Sequence, residues 1–146
     1  MRELAAAGAL CVGLLMVHGP TRAALGEAPT ADRQPIKTSR HVADEWQYVL
    51  REIQLESGTL VREYVSVKGT VFAVTWQGPF LPDLRQLLGR HFTAYTDAAQ
   101  KAGGRGPLYI DSPELVVQSG GRMRAFSGRA YLPQEIPENF SLDHIQ

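Results

Sequence analysis

Three arginines in the C-terminal third of the sequence are the side chains best suited to hold a ligand. Between Glu114 and Glu135 the charged residues are Arg122, Arg124 and Arg129 alone, interleaved with glycines and aromatic residues. A guanidinium donates forked hydrogen bonds that match phosphate, carboxylate or sulfate. Residues two apart on a strand point to the same side, so we expect Arg122 and Arg124 to project together, about 7 Å apart. The pattern predicts an anion-contacting surface; the alternative is a solvated, charged edge strand that resists pairing with another sheet.

A second group of residues would suit acid–base catalysis. Carboxylates beside arginines exchange protons with substrates in many hydrolases, and Arg51, Glu63 and His91 could line such a cleft. The alternative is structural: Arg51 pairs with Glu63 and Glu52 with Arg62 across strands, and His91 is an aromatic residue at the edge of the core. No two histidines have a spacing suited to a metal, and no nucleophile, phosphate-loop or dinucleotide motif is present. We therefore predict neither a metal site nor a cofactor.

Charged residues on opposite strands fix the predicted register of the first hairpin, which carries Arg51 and Glu63. If residues 56–58 form a three-residue loop with its glycine in the left-handed conformation, Arg51 faces Glu63. A two-residue loop would instead place Glu52 opposite Glu63, and like charges directly opposed are unfavourable. The predicted register also pairs Val49 with Val65, Leu50 with Tyr64, Glu52 with Arg62 and Ile53 with Val61.

A third strand is predicted to complete a meander. A two-residue turn at residues 68–69 would place Phe72, Val74 and Trp76 on the face that also carries Val61. A sheet with one apolar face needs a cover, so we expect the next element to pack there.

An amphipathic helix that starts at residues 82–83 supplies the cover and ends at residues 103–104. Its apolar arc contains Leu84, Leu87, Leu88, His91, Tyr95, Ala98 and Ala102. Two further strands, residues 115–118 and about 123–131, follow, and we expect them to be joined around residues 120–121, with a loop of two or three residues. This order predicts an α+β domain: an antiparallel sheet made of a three-stranded meander and a C-terminal hairpin, with the helix packed on one face.

The first 23 residues are typical of a cleavable secretory signal peptide. Residues 4–17 are apolar and uncharged, too short a run for a bilayer-spanning helix, and small residues surround Ala23. Residues 24–45 lack a helical or strand period, which predicts an extended leader or, alternatively, a clamp ordered against the domain. Residues 46–146 then form a single domain without cysteine, because Cys11 is the one cysteine of the sequence. We predict a periplasmic or secreted protein with no stable transmembrane anchor after cleavage.

The charge balance argues against nucleic acid as a partner. Without Arg2, Arg22 and Glu3, the 15 basic and 15 acidic residues become 13 and 14, so no basic excess is present. The leading interpretation is a non-enzymatic extracytoplasmic accessory or ligand-binding protein whose envelope or extracellular partner is anionic. The alternative is a small hydrolase or transferase that uses Arg51, Glu63 and His91. A third possibility is an interaction protein that acts by strand addition at a sheet edge.

Five sequence runs resemble a known family. They are ALG at residues 24–26, GTLVREYV at 58–65, VFAVTWQGP at 71–79, PDLRQLLG at 82–89 and SGGRMRAFSGRAYLP at 119–133. With these runs the chain resembles a proteobacterial family of secreted proteins, catalogued as domain of unknown function 2844. The resemblance implies export in a Gram-negative bacterium, and it carries over no ligand or catalytic residue.

The signal-peptide prediction can be checked by mass. Protein recovered from the periplasm or the medium of an expressing Gram-negative host should begin at Ala24, because the small residues at positions 21 and 23 favour cleavage there. Intact-mass spectrometry measures the start of the chain directly. A full-length product confined to the cytoplasm would contradict the predicted export.

Overall fold

A computed structural model describes residues 24–29, 34–42, 47–103 and 106–146. The predicted signal peptide, residues 1–23, lies outside the described residues. The described chain forms one antiparallel sheet of seven strands with a helical segment after the fourth strand. The strands are β1 (Lys37–Val42), β2 (Gln47–Gln54), β3 (Leu60–Ser66), β4 (Val71–Gly78), β5 (Leu108–Asp111), β6 (Val116–Arg122) and β7 (Ala125–Tyr131). Their order across the sheet is β1-β2-β3-β4-β7-β6-β5.

The α+β class is confirmed, but the sheet is not a three-stranded meander with a separate hairpin. Two strands were not predicted: β1, which lies in the segment interpreted as a leader, and β5, which is four residues long. Both are edge strands, where few side chains are buried, so neither carries a clear apolar alternation. The helical segment between β4 and β5 carries the chain to the far edge of the sheet, and β6 and β7 then return until β7 pairs with β4.

The register of the first hairpin is confirmed. Arg51 pairs with Glu63, and the neighbouring pairs follow as predicted. Gly58 has a φ of 84°, and the N–H of Leu55 donates to the carbonyl oxygen of Thr59 at 2.9 Å. The loop therefore contains three residues with glycine in the left-handed conformation.

The turn between β3 and β4 differs from the prediction. It also has three loop residues, because the N–H of Ser66 donates to the carbonyl of Thr70 at 2.8 Å and Gly69 has a φ of 80°. A β-bulge absorbs the extra residue: Val65 pairs with Val71 and Tyr64 with Ala73. Phe72, between the two paired residues of β4, is thereby turned to the opposite face of the sheet from Trp76, so the prediction that both share one core is wrong.

Apolar residues bury both faces of the central strands. On one face, which we call the helix side, the core includes Val61, Val74, Trp76, Leu84 and Leu88. The opposite face, which we call the back face, carries a second core of Tyr48, Tyr64, Phe72, Ala73, Val116, Tyr131, Phe140 and Ile145. Phe140 and Ile145 belong to the segment after β7, so the C-terminal tail covers this second core. Burial on both sides explains why six consecutive residues of β4 are buried.

The predicted continuous helix is interrupted. It consists of α1 (Leu84–Leu88), a 3₁₀ turn (Gly89–His91) and α2 (Phe92–Lys101). Gly89 has a φ of 51°, and a Cβ atom at this position would overlap the Cβ of Ala24. Glycine therefore ends α1 where the N-terminal segment crosses it.

The N-terminal segment that crosses α1 is part of the domain. Leu25 is fully buried in the helix-side core, and its N–H donates to the carbonyl of Leu87 at 2.9 Å. On its other side, Gly26 and Glu27 exchange main-chain hydrogen bonds with Val71 at 2.8 and 2.9 Å. Residues 24–27 thus bridge α1 and the start of β4, in the manner of a clamp rather than a linker.

The contact between Trp76 and Gly128 gives a stability prediction. The two residues are paired across β4 and β7, and a Cβ atom on Gly128 would overlap the Trp76 ring, which is 2 % exposed. We expect Gly128→Ala to lower the free energy of unfolding by about 1–3 kcal/mol, as overpacking of a core does.

Gly120→Ala is the matched control in the neighbouring strand. Its added Cβ would lie 3.7 Å from the nearest atom, Cβ of Pro107, an ordinary contact. Denaturant unfolding of the two variants measures the difference. Equal midpoints for both variants would contradict the packing of Trp76 over Gly128.

Candidate functional site

A row of polar side chains crosses the whole sheet on the back face. Directly paired residues of neighbouring strands point to the same side, so a chain of pairs defines a line across the sheet. From β1 to β5 the line consists of Lys37, Glu52, Arg62, Thr75, Arg129, Gln118 and Tyr109. The adjacent line on the same face, two residues along each strand, is the apolar one that carries Leu50, Tyr64, Ala73 and Tyr131. The polar row therefore lies directly beside the back-face core.

The part of this row that lies on β4, β7 and β6 forms the floor of a groove of about 490 Å³. Pro107 and the first two residues of the edge strand β5 line one end, and Ile145 and Gln146 of the tail line the other. The remaining space exists because Gly120 and Ser127, paired with each other in the next line of the sheet, have little or no side chain to fill it. We call this cavity the back-face groove.

Arg129 differs from Arg62, the other arginine of the groove, in having no Asp or Glu partner among the described residues. Its Nε donates to Oε1 of Gln118 at 2.8 Å and its Nη1 to the carbonyl oxygen of Ile145 at 3.4 Å. Both acceptors are neutral, and among the described residues no carboxylate lies within 4.0 Å of the guanidinium. Arg129 is half-buried. A partly desolvated cation thus faces the groove without an ion pair to an Asp or Glu side chain of the described residues.

Arg62, in contrast, has an ionic partner. Its Nε donates to Oε1 of Glu52 at 2.9 Å, and Lys37 lies 3.6 Å from the same carboxylate. The hydrogen bond from Arg62 holds the pKa of Glu52 below its ordinary value, and the charge of Lys37 acts in the same direction. Nε of Arg62 is therefore paired with a carboxylate, and its Nη1 donates to the main-chain oxygen of Gln146 at 3.1 Å.

Three donors of the groove converge on one oxygen atom of the tail. The main-chain oxygen of Gln146 accepts from Nη1 of Arg62 at 3.1 Å, from Oη of Tyr64 at 3.1 Å and from Oγ1 of Thr75 at 3.0 Å. The N–H of Gln146 returns a bond to the Tyr64 hydroxyl at 3.0 Å. Burial raises the pKa of Tyr64, so its hydroxyl is protonated and able to donate at neutral pH.

The three arginines predicted to contact an anion are not brought together. Arg129 lies in the groove, Arg122 is the exposed last residue of β6, and Arg124 occupies the turn after it with a φ of 65°. The expectation that Arg122 and Arg124 project from one strand is wrong, because β6 continues through Gly120 and Gly121, where a turn was predicted. Arg122 shares the face of Gln118 and lies at the outer end of the groove side of β6.

Arg51, Glu63 and His91 do not form one catalytic cluster in the described structure. Nη1 of Arg51 lies 2.7 Å from Oε2 of Glu63, which is 1 % exposed on the helix side. His91 accepts a hydrogen bond at 3.3 Å from Nε of Arg90, its neighbour in the 3₁₀ turn, and lines a different cavity with Glu114. Burial, aided by Arg90, lowers the pKa of His91. In the described part of the chain no hydrogen bond joins Glu63 to His91.

In residues 24–29, 34–42, 47–103 and 106–146, no group of three or more His, Cys, Asp or Glu side chains could hold a metal ion. No helix of these residues is long and apolar enough to cross a membrane.

Most of the groove residues were missed by the sequence analysis. Thr75, Gln77, Gln118 and Ser127 are uncharged and belong to no motif. The signal that could have found them is the pairing of β4 with β7, since it places Thr75 opposite Arg129. That pairing joins strands about fifty residues apart and has no local turn to reveal it.

The ion pair of Glu52 with Arg62 gives a pH-dependent prediction. Because the pKa of Glu52 is lowered in the folded state, the pair stabilises the protein above about pH 4.5 and loses this contribution as the pH falls below it. Arg62→Gln should raise the pKa of Glu52 toward its ordinary value and flatten the acid side of the stability curve. An NMR titration of the Glu52 carboxyl, with Arg122→Gln as the control, measures the shift. An unchanged pKa in Arg62→Gln would contradict the assigned cause.

Comparison with known proteins agrees with the resemblance found in the sequence. A family model described as "Protein of unknown function (DUF2844)" matches residues 21–145. No curated protein and no solved structure matches the chain.

Proposed function

The chain belongs to the DUF2844 family, and we propose that it is a non-enzymatic, extracytoplasmic ligand-binding protein whose back-face groove holds a small anionic ligand. In this proposal Arg129 is the anchoring residue. Gln77, Gln118 and Ser127 supply neutral hydrogen-bond partners around it. The signal-like residues 1–23 and the cysteine-free sequence after Cys11 support the extracytoplasmic location.

The charge of Arg129 carries the proposal. A guanidinium that loses water on partial burial is costly unless an anion compensates it. Within the described chain, Arg129 has a carboxamide and a main-chain carbonyl as partners, and Nη2 has no acceptor among them. Charge-assisted hydrogen bonds are about twice as strong as neutral ones. An anion bound at Nη1 and Nη2 would therefore supply the interaction that the protein itself leaves unmade.

The electrostatic character of the groove supports the same ligand class. Its described lining includes two arginines, Arg62 and Arg129, and no aspartate or glutamate. The whole sequence has a net charge of zero, so attraction of an anion must come from this local arrangement rather than from the protein as a whole. Arg122, at the outer end of β6, adds a further positive charge on the same face.

The size of the groove favours a small molecule over a protein partner. Its volume of about 490 Å³ lies within the range that is typical of small-ligand sites. Apolar residues such as Pro107, Leu108 and Ile145 line its ends, while the polar groups lie on its floor. This arrangement would orient the anionic group of a ligand toward the sheet and its carbon skeleton toward the walls.

Binding of simple anions tests the proposal. Acetate, glutarate, inorganic phosphate and sulfate should each be titrated into the protein while the side-chain Nε–Hε signal of Arg129 is followed by NMR. We expect Arg129→Gln to weaken the tightest of these at least about tenfold, because hydrogen bonds to charged groups contribute about 1.5–3 kcal/mol and 1.4 kcal/mol is a factor of ten.

Arg40→Gln is the matched control. Arg40 is an exposed strand arginine on the helix side, away from the groove, and the described structure gives it no ion pair. Its substitution should leave anion affinity unchanged. Equal losses in both variants would point to a general charge effect, and no binding by the unmodified protein would overturn the proposed function.

A further inference from the structure

The aromatic ring of Tyr109 lies at the end of the back-face groove that is formed by the edge strand β5. The residue is 61 % exposed. Among the described residues, no aromatic side chain stacks on this ring or meets it edge to face. Aromatic rings pair in offset-stacked or edge-to-face arrangements, and such pairs contribute more than the area they bury. The groove thus offers a ring face that the described chain leaves without an aromatic partner.

A hydrogen bond to Asp111 sets the direction in which this ring leans. Oη of Tyr109 donates to Oδ2 of Asp111 at 3.2 Å. Asp111 lies two residues further along β5 and does not line the groove, whereas Pro107, two residues in the other direction, does. With its hydroxyl held beside Asp111, the ring turns one face toward Pro107 and the open part of the groove. The same hydrogen bond and the charge of Asp111 raise the pKa of Tyr109, so the phenol is neutral and does not repel an anion.

The floor beside this ring is made by residues with little or no side chain. A Cβ on Gly120 would lie 3.7 Å from Cβ of Pro107, so this glycine adjoins the end of the groove next to β5. Gly120 is paired with Ser127 of β7. Arg129 lies two residues beyond Ser127 on the same face, about 7 Å along the strand. Tyr109 and Arg129 therefore border one open space, in which a flat group can lie over Gly120 and Ser127.

We propose that the ligand of the back-face groove is an aromatic carboxylate, whose carboxylate binds the guanidinium of Arg129 and whose ring stacks on Tyr109. The inference rests on the proposed function and specifies its ligand class. In the line across the sheet Gln118 alone lies between these two residues, so their Cα atoms are about 10 Å apart, two strand spacings. A single ring joined directly to its carboxylate is short enough to lie between them, and benzoate is the simplest such ligand.

Carboxylates of equal charge and different carbon skeletons test the ligand class. Benzoate has a planar aromatic ring, cyclohexanecarboxylate has a saturated ring with the same number of carbon atoms, and acetate has no ring. Each is titrated into the protein while the Nε–Hε signal of Arg129 is followed by NMR. We expect benzoate to bind at least about threefold more tightly than cyclohexanecarboxylate, because an aromatic pair contributes more than the burial of apolar area alone.

Substitution of Tyr109 tests the stacking contact. Tyr109→Leu removes the aromatic ring and keeps an apolar side chain, so it should lower benzoate affinity at least about threefold. Acetate affinity should change by less than about twofold, because acetate contacts Arg129 without reaching Tyr109. Tyr109→Phe keeps the ring and should retain the preference for benzoate over cyclohexanecarboxylate.

Phe80→Leu is the matched control, since Phe80 is an aromatic residue of similar exposure, 56 %, that does not line the groove. It should leave all three affinities unchanged. A second measurement covers the case in which Tyr109→Leu does not fold. In the unmodified protein, the ring protons of bound benzoate should show nuclear Overhauser effects to the ring protons of Tyr109.

The outcomes separate the two proposals. If benzoate binds no more tightly than acetate or cyclohexanecarboxylate, or if Tyr109→Leu leaves benzoate affinity unchanged, the aromatic ligand class is overturned and the proposed function stands. The same holds if none of these carboxylates binds but phosphate or sulfate does. If no anion binds the unmodified protein, the proposed function fails, and the aromatic ligand class fails with it.

Discussion

The pairing of β4 with β7 is the contact on which the rest of the structure depends. It closes the sheet between the N-terminal meander and the strands that follow the helical segment. Its register is set by shape, because the Trp76 ring occupies the place where any residue other than glycine at position 128 would have a side chain. With Trp76 opposite Gly128, Thr75 must lie opposite Arg129. The packing of Trp76 against Gly128 on the helix side thus determines which residues form the floor of the groove on the back face.

How much of the fold could be predicted from the sequence depended on whether the deciding forces were local. The first hairpin was predictable because Glu52 and Glu63 would repel each other in the competing register. The second turn was not predictable, because the bulge at Phe72 offsets the extra residue of the three-residue loop. From Tyr64 and Ala73 onward, the strand pairs are therefore the same as those that a two-residue loop would give. Alternation alone cannot detect such a pair of compensating irregularities. It assigned Phe72 to the correct degree of burial and to the wrong core.

The candidate site shows the same limit at longer range. Arg129 could be selected because it is charged in a segment without acids, but Arg122 and Arg124 were selected by the same criterion and lie outside the groove. Gly120 and Gly121 suggested a turn, whereas the structure uses them within β6. A Cβ on Gly121 would collide with the main chain of Ala125, so this glycine serves close approach of the strands. This glycine pair therefore marks a need for space within a strand and not a change of direction.

The two cores are each completed by residues at opposite ends of the described chain. Leu25 closes the helix-side core, and Phe140 with Ile145 closes the back-face core. During synthesis, the first of these residues is available long before the last. A nascent chain that lacks residues 140–145 has a sheet with one apolar face open to water, which is a poor starting point for stable folding. Complete burial of both faces of the sheet therefore requires both ends of the described chain to be in place.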